Sequence, residues 1–283
     1  MRWAGAGAGV VATDLDGTLL RSDLTISATT RGMMRRLAGT GIWHVIVTGR
    51  PASACGPFFR ALGYRGLAVC GQGAQIYEVD RGVLLSQVEL DPDAAQAFLA
   101  RLAGRVGRLR LAVVTSGLGS EFLVTPGFSR PGEREQASFR LIGEEHLFSR
   151  PVDKVLLRHD GLSDGELAAE ARLCCGPGLV VTHAGPRIVE LLPAGFDKAT
   201  GLSRVCEVLG AGPQEVVAFG DMPNDIPMLR WAGHGVAMAN GHPDLKAVAD
   251  EIAPANDQDG VAVVLGRLLG ATLPGPGAAR TTR

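Results

Sequence analysis

The sequence VVATDLDGTL, at residues 10–19, gives the most direct indication of the fold. It reads as a short buried strand, Val10–Thr13, followed directly by two carboxylates one residue apart, Asp14 and Asp16. Two like charges this close repel each other unless a cation or hydrogen-bond donors lie between them. In such a pair one carboxylate can attack as a nucleophile while the other transfers a proton. An acidic turn is the alternative interpretation, because Asp and Gly are common turn residues, but the pattern favours chemistry.

Short apolar runs alternate with amphipathic stretches at both ends of the chain. The predicted strands are Val10–Thr13, Trp43–Val47, Leu67–Cys70, Val216–Phe219 and Gly235–Ala239. The predicted helices are Ser27–Thr40, with Ser27 as its cap, Lys198–Leu209 and Ile226–Ala232. Strand, helix and strand at this spacing indicate a parallel sheet with right-handed crossovers. We therefore predict an α/β fold with a Rossmann-like parallel-sheet core.

In the middle of the chain, charged residues and residues typical of loops are more frequent than at the two ends. Strands are predicted at Val83–Glu89, Leu111–Thr115, Lys154–Leu157 and Val180–His183, and helices at Pro92–Leu102 and Ser163–Leu173. We predict that residues 84–188 form a large inserted α/β domain. Residues 1–83 and 189–283 would then form one discontinuous core.

Composition excludes several classes of protein. Of the 283 residues 46% are hydrophobic, which excludes a disordered chain, and the net charge of −1 gives no electrostatic case for nucleic acid or an anionic membrane. No segment approaches the roughly 20 apolar residues of a membrane span. The five scattered cysteines have no zinc spacing, and residues 1–9 lack the apolar stretch of a signal peptide. We expect a cytoplasmic monomer or weak homodimer, with a frayed tail at 271–283.

Three further places carry candidate functional residues. Thr48–Arg50 follows a predicted strand, and a hydroxyl and a glycine amide there can both donate to a phosphate oxygen, although this tripeptide alone is an ordinary turn. Lys198 begins a predicted helix, where the helix dipole disfavours a cation, so a partner anion would explain it. Gly220–Asp225, with the sequence GDMPND, supplies two carboxylates and an amide after a strand. Hard oxygen ligands grouped in this way suit Mg²⁺.

The four motifs DLDGT (14–18), TGR (48–50), Lys198 and GDMPND (220–225) resemble, in order, those of the haloacid dehalogenase superfamily of phosphohydrolases. The large insert between the second and third motifs looks most like the cap of the Cof-type branch, and the resemblance covers nearly the whole chain. It implies that the insert 84–188 is a cap domain and that 1–83 and 189–283 form the catalytic core. It implies a Mg²⁺-dependent phosphatase of small phosphorylated metabolites, such as a sugar phosphate or a phosphorylated cofactor. The reaction would pass through an aspartyl-phosphate intermediate.

The resemblance also implies roles for individual residues. Asp14 would be the nucleophile, and Asp16 the acid that protonates the leaving oxygen and then the base for the attacking water. Catalysis would depend on Asp14, Asp16, Thr48 and Lys198. Phosphate binding is assigned to Gly17, Thr48, Gly49, Arg50, Lys198 and Asn224. Metal binding is assigned to Asp14, Asp16 through its carbonyl, Asp221, Asn224 and Asp225.

One departure from the family pattern concerns the substrate. Relatives often have Asn-Gly-Ala after the third strand, whereas this chain has Gln72-Gly73-Ala74, so any substrate contact made there is shifted. Two alternative functions stay open, a phosphomutase or other phosphotransferase on the same fold and a non-catalytic protein that binds a phosphorylated metabolite. The second is disfavoured because the predicted nucleophile, acid and metal ligands are all retained.

Overall fold

The computed structural model describes residues 9–128, 139–185 and 188–270. The expectation of a frayed tail concerns residues 271–283, and that about a signal peptide concerns residues 1–9; apart from Gly9, these lie outside the described residues.

The chain divides into two compact units, which are described separately below. The first consists of Met1–Ile46 and Cys206–Arg283, and the second is Val47–Val205. The predicted domain boundaries at 83/84 and 188/189 stay a prediction.

The described residues form strands and helices as follows. The strands are β1 Val10–Thr13, β2 Trp43–Val47, β3 Leu67–Cys70, β4 Gln75–Glu78, β5 Val83–Gln87, β6 Arg110–Thr115, β7 Phe122–Val124, β8 Phe139–Leu141, β9 Val152–Arg158, β10 Leu179–Gly185, β11 Ile188–Pro193, β12 Val216–Gly220, β13 His234–Met238 and β14 Glu251–Ala253. The α-helices are α1 Ala28–Ala38, α2 Ala52–Leu62, α3 Pro92–Val106, α4 Asp164–Cys174, α5 Lys198–Leu209, α6 Ile226–Trp231, α7 Pro243–Lys246 and α8 Gly260–Leu268.

The first unit is built on parallel strands in the order β14, β13, β12, β1 and β2. β1 and β12 are buried along their whole length, as expected for parallel strands covered on both faces. Their register pairs Val10 with Val216 and Thr13 with Phe219, and the Asp14 N–H donates to the Phe219 carbonyl at 2.9 Å. The two strands therefore end side by side.

Helix α1 begins and ends where the sequence predicts. The Ser27 side chain accepts a hydrogen bond from the Thr30 N–H at 2.9 Å, which satisfies one of the free donors of the first turn, and the helix ends before Gly39. Its buried residues include Met33 and Leu37, one helical turn apart, and α1 packs against α8. The cap at Ser27 is confirmed.

The second unit contains two groups of strands. β3, β4 and β5 pair antiparallel in that order. A six-stranded sheet has the order β10, β11, β9, β6, β7 and β8, and all its pairs are antiparallel except β7 with β8. Helices α3 and α4 pack together, and Phe98, Leu102 and Leu167 join Val155 and Leu191 in one apolar core.

The α/β fold class with a parallel-sheet core is confirmed. The predicted helices and strands are present, with ends that differ by a few residues at most sites. Several elements of the structure were not predicted from the sequence, among them α2, β4, β11 and α8. Among the described residues, no helix has both the length and the apolar character needed to cross a membrane.

Candidate active site

Three buried carboxylates form a cluster in the first unit. Oxygen atoms of Asp14, Asp221 and Asp225 lie within 4.8 Å of one another. Asp14 follows β1 and Asp221 follows β12, so the side-by-side ends of these strands bring the two together. Asp225 reaches the same place through the short helical turn Pro223–Asp225. A buried group of three carboxylates is a donor set of the kind that a hard divalent cation binds.

Hydrogen bonds hold two of these carboxylates in place. The Thr18 hydroxyl donates to Oδ1 of Asp221 at 3.2 Å. Oδ2 of Asp225 accepts the backbone N–H groups of Asp221 and Met222, each at 3.0 Å. One oxygen of Asp225 therefore stabilises the turn that carries Asp221, as well as contributing charge to the cluster.

Gly17 makes room for the cluster. It has a left-handed backbone, with φ of 73°, and a Cβ added there would lie 2.3 Å from Oδ2 of Asp221. Only glycine combines this conformation with so close an approach. The Gly17 carbonyl accepts from the Asn240 side-chain amide at 2.8 Å.

Two further predicted residues of this unit, Asp16 and Asn224, lie in the segments after β1 and β12 that also carry Asp14 and Asp221. Asp16 is half-buried in the turn Leu15–Leu19, where its backbone is extended, with φ of −79° and ψ of 126°. Asn224 is half-buried between Pro223 and Asp225.

In the second unit, the loop Thr48–Arg50 continues from β2. Thr48 is buried, and its N–H donates to the Val69 carbonyl at 2.8 Å. The Arg50 N–H donates to the Thr48 hydroxyl oxygen at 3.1 Å. This bond uses one lone pair of the hydroxyl, whose own hydrogen is still a donor. The Arg50 guanidinium lies over the Phe58 ring, 4.7 Å from its centre.

Lys198 is a buried lysine at the first position of α5, with only 2% of its surface exposed. The Thr200 N–H donates to Oδ1 of Asp197 at 2.7 Å, and the Asp197 N–H donates to the Thr200 hydroxyl at 2.8 Å, so the start of the helix is fixed. Burying an ammonium group is costly unless it is paired. Lys198 is therefore not a solvated surface lysine.

The start of α5 packs directly against the turn Gly71–Gly73. A Cβ added at Gly73 would lie 1.9 Å from the Asp197 carbonyl oxygen, and one added at Gly201 would lie 2.8 Å from the Gly73 Cα. Two backbones thus approach with no side chain between them. This contact fixes the position of Lys198 relative to the turn.

Gln72 has an unusual backbone in that turn. Its φ of 60° and ψ of 27° place it in the left-handed region, which Asn tolerates better than Gln. The side chain is buried, and its Nε2 donates to Oε2 of Glu190 at 3.2 Å. A contact between Gln72 and substrate stays a prediction.

The sequence analysis missed two buried charged residues near this turn, Lys154 of β9 and Glu190 of β11. They form an ion pair, and their side chains are only 9% and 2% exposed. The available signal was the presence of charged residues inside two strand-like runs, Asp153 and Lys154 in Val152–Leu157 and Glu190 in Ile188–Leu192.

Comparison with known proteins identifies the family. The family of haloacid dehalogenase-like hydrolases matches residues 11–265, and the chain belongs to it. A 5-amino-6-(5-phospho-D-ribitylamino)uracil phosphatase of Bacillus subtilis, YitU, is 27% identical over 89% of this chain and 94% of its own length. The HMP-PP phosphatase of Serratia proteamaculans is 27% identical over 86% of this chain and 88% of its own length.

A solved structure supports the same assignment. A haloacid dehalogenase-like hydrolase from Bacteroides thetaiotaomicron superimposes with a TM-score of 0.76 at 28% identity, covering 92% of this chain and 99% of the other. The named relatives are phosphatases, and the prediction of a phosphoric monoester hydrolase of this family is confirmed.

Proposed function

We propose that this chain is a Mg²⁺-dependent phosphatase that hydrolyses small phosphorylated metabolites through an aspartyl-phosphate. The observation that carries the proposal is the buried cluster of Asp14, Asp221 and Asp225. A sugar phosphate or a phosphorylated cofactor is the proposed substrate class. The name of the Bacillus relative, a phosphatase of a phosphoribitylamino compound, supports that class.

The cluster fits a small hard cation. Its donors are carboxylate oxygens, and Mg²⁺ is bound through few carboxylates together with water and substrate phosphate. Asp14, Asp221, Asp225, Asn224 and the Asp16 carbonyl would hold it. When bound, the ion supplies positive charge that offsets the negative charge of the phosphoryl oxygens.

The proposed chemistry has two steps. In the first, a carboxylate oxygen of Asp14 attacks phosphorus, the bond from phosphorus to the leaving oxygen breaks, and Asp16 donates its proton to that oxygen. In the second, Asp16 takes a proton from water, the water oxygen attacks phosphorus, and the bond to Asp14 breaks. Inorganic phosphate and the free enzyme result.

Phosphoryl transfer needs positioning and charge neutralisation more than further covalent chemistry. The proposal assigns these tasks to the Thr48 hydroxyl, the Gly49 amide and the Lys198 ammonium group, with Gly17, Arg50 and Asn224 as further phosphate-binding residues. The burial of Lys198 supports this, because a buried ammonium group calls for an anionic neighbour.

The proposal divides the work between two domains. The core, 1–83 and 189–283, would carry the chemistry, while a cap at 84–188 would contact the leaving group and select the substrate. We place the enzyme in the cytoplasm, as a monomer or weak homodimer. The five cysteines, all of them free thiols, support the cytoplasmic location.

The covalent route is tested with Asp14→Asn. With Mg²⁺ and an aryl phosphate, we expect release of inorganic phosphate to fall by about 10³-fold or more, because the amide is not a nucleophile. Asp93→Asn, which changes an exposed residue of the same type, is the control and should behave as wild type. Full activity of Asp14→Asn would overturn the route.

The acid is tested with Asp16→Asn on two substrates. Turnover of an alkyl phosphate should fall much further than that of an aryl phosphate, because a good leaving group needs little protonation. An equal loss on both substrates would contradict the assignment.

A panel of phosphorylated metabolites assayed with wild type would then identify the substrate class.

A further inference from the structure

The carbonyl groups of the loop Thr48–Arg50 are all held by hydrogen bonds. The Gln72 N–H donates to the Thr48 carbonyl at 3.1 Å, and the Gly71 N–H donates to the Arg50 carbonyl at 2.8 Å. These two bonds come from the backbone of one turn. The backbone of this loop is therefore fixed at both ends.

The middle carbonyl, that of Gly49, is held by a side chain instead. The Lys154 ammonium group donates to it at 3.1 Å, although Lys154 is 105 residues further along the chain. A lysine that donates to a neutral carbonyl while buried requires an anion nearby to be stable. Glu190 supplies that anion, and its carboxylate is itself almost fully buried.

The sheet brings this ion pair together. β9 and β11 are antiparallel neighbours, and Leu156 lies opposite Glu190. Lys154 is two residues before Leu156, so Lys154 and Glu190 project from the same face as diagonal neighbours. Gln72 then donates to the second oxygen of Glu190, so both carboxylate oxygens are used.

Because the peptide group is planar, these contacts also determine the direction in which the N–H donors of the loop point. The C=O and N–H of one trans peptide point in opposite directions. Fixing the Thr48 carbonyl towards Gln72 turns the Gly49 N–H the other way. Fixing the Gly49 carbonyl towards Lys154 turns the Arg50 N–H away from Lys154, and this N–H donates to the Thr48 hydroxyl. Lys154 therefore influences the orientation of both the Arg50 N–H and the Thr48 hydroxyl that accepts from it.

We propose that the buried pair Lys154–Glu190, together with Gln72, is a positioning device that orients the hydrogen-bond donors of the loop Thr48–Arg50. Its importance for phosphate binding rests on the proposed function, whereas its effect on the loop backbone does not. Lys154 and Glu190 are positioning residues, and no contact with substrate is assigned to them.

The test uses the double variant Lys154→Met/Glu190→Gln of the full chain. Removing both charges avoids a lone buried charge, and the amide introduced by Glu190→Gln can still accept from Gln72. Val155→Ala, in the same strand and buried in the apolar core, is the control for a general loss of stability. Thermal unfolding of both variants shows that they are folded and how far each is destabilised.

The first measurement is hydrogen exchange of the Arg50 amide without any ligand. We expect it to be about tenfold faster in the double variant and unchanged by Val155→Ala, the factor of ten corresponding to 1.4 kcal/mol. An unchanged rate in the double variant would overturn the proposal. So would an equal increase in the control, because the effect would then be one of stability alone.

The second measurement is inhibition of aryl phosphate turnover by inorganic phosphate, with Mg²⁺ present. The inhibition constant and KM should rise about tenfold in the double variant, with a smaller change in kcat, while the control stays within twofold of wild type. An unchanged inhibition constant beside faster exchange would refute the link to phosphate binding. Absence of Mg²⁺-dependent turnover in wild type would instead overturn the proposed function and leave the exchange result standing.

Discussion

The two units build their candidate functional groups in different ways. In the first unit, Asp14 and Asp221 follow the ends of neighbouring parallel strands, and hydrogen bonds from Thr18 and from nearby backbone amides hold the cluster. In the second unit, the groups near the turn Gly71–Gly73 are fixed by close backbone packing and by a buried ion pair from distant strands. The carboxylate cluster of the first unit brings like charges together, whereas the turn of the second unit is packed so closely that it has no room for an added side chain.

This difference predicts different sensitivities. The carboxylate cluster should respond to changes in charge and in hydrogen-bond donors, and the effect should appear in metal affinity. The turn of the second unit should respond to added volume, and the effect should appear in the stability of the fold. Substitutions in the two units test this contrast.

Gly73→Ala should destabilise the protein by about 4 kcal/mol. The new methyl group would meet the Asp197 carbonyl, and the backbone at φ of 101° is unfavourable for alanine. Gly63→Ala is the matched control, because Gly63 also has a positive φ but has open space around it, so about 1 kcal/mol is expected. Urea denaturation measures both. Equal losses would show that volume is not limiting at this turn.

Asp221→Asn should weaken Mg²⁺ binding by about 100-fold. It replaces one of three buried carboxylates with a neutral amide, whose oxygen binds a divalent cation less strongly than a carboxylate does. Calorimetric titration with Mg²⁺ measures the affinity, and Asp244→Asn, an exposed residue of the same unit, is the control. Unchanged affinity in Asp221→Asn would refute the assignment of the metal site.

Thr18→Val should weaken Mg²⁺ binding by about tenfold, less than the change at the carboxylate itself. The valine has nearly the same shape but cannot donate to Oδ1 of Asp221, so the carboxylate loses the group that orients it. The same titration measures the effect. A loss as large as that of Asp221→Asn would mean that the threonine does more than orient its neighbour.

At neutral pH the smallest effect is expected at His44, in the strand beside β1, because its titration reduces stability only at lower pH. Burial lowers the pKa of His44 to about 4, and its ring lies 2.8 Å from the Thr13 hydroxyl. The unfolded chain, with a pKa near 6.5, therefore binds more protons than the folded protein between these values, and stability should fall as the pH is lowered through that window. His44→Gln should flatten this dependence. Urea denaturation between pH 4 and pH 7 measures it, and equal slopes in both proteins would contradict the assignment.

The sequence predicted the parts of the fold whose signals are local. Val10–Thr13 and the residues just after it could be interpreted together, because an apolar run and its polar end are adjacent in the chain. Helix α2 was missed because Gly56 and Pro57 interrupt its pattern, although the burial of Cys55, Phe59 and Leu62 shows an apolar stripe. Propensity is weak evidence where packing against neighbouring elements stabilises the helix.

The supporting ion pair could not be predicted for a different reason. Lys154 lies in a predicted strand, but nothing in the strand itself shows that its partner is Glu190, since the pairing depends on which strands become neighbours and in which register. The hydrogen-bond partner of Gln72 could not be predicted for the same reason. Its departure from the usual Asn was visible in the sequence, and its hydrogen bond to Glu190 was visible only in the structure.

The contact between Gly49 and Gln72 has a consequence for how this sequence can evolve. A Cβ at Gly49 would lie 2.6 Å from Nε2 of Gln72, so a larger residue at position 49 would displace the Gln72 amide from its place beside Glu190. The two positions should therefore change together among natural sequences. Lineages with a smaller residue at position 72 should admit alanine at position 49, and lineages that keep a long side chain there should retain glycine.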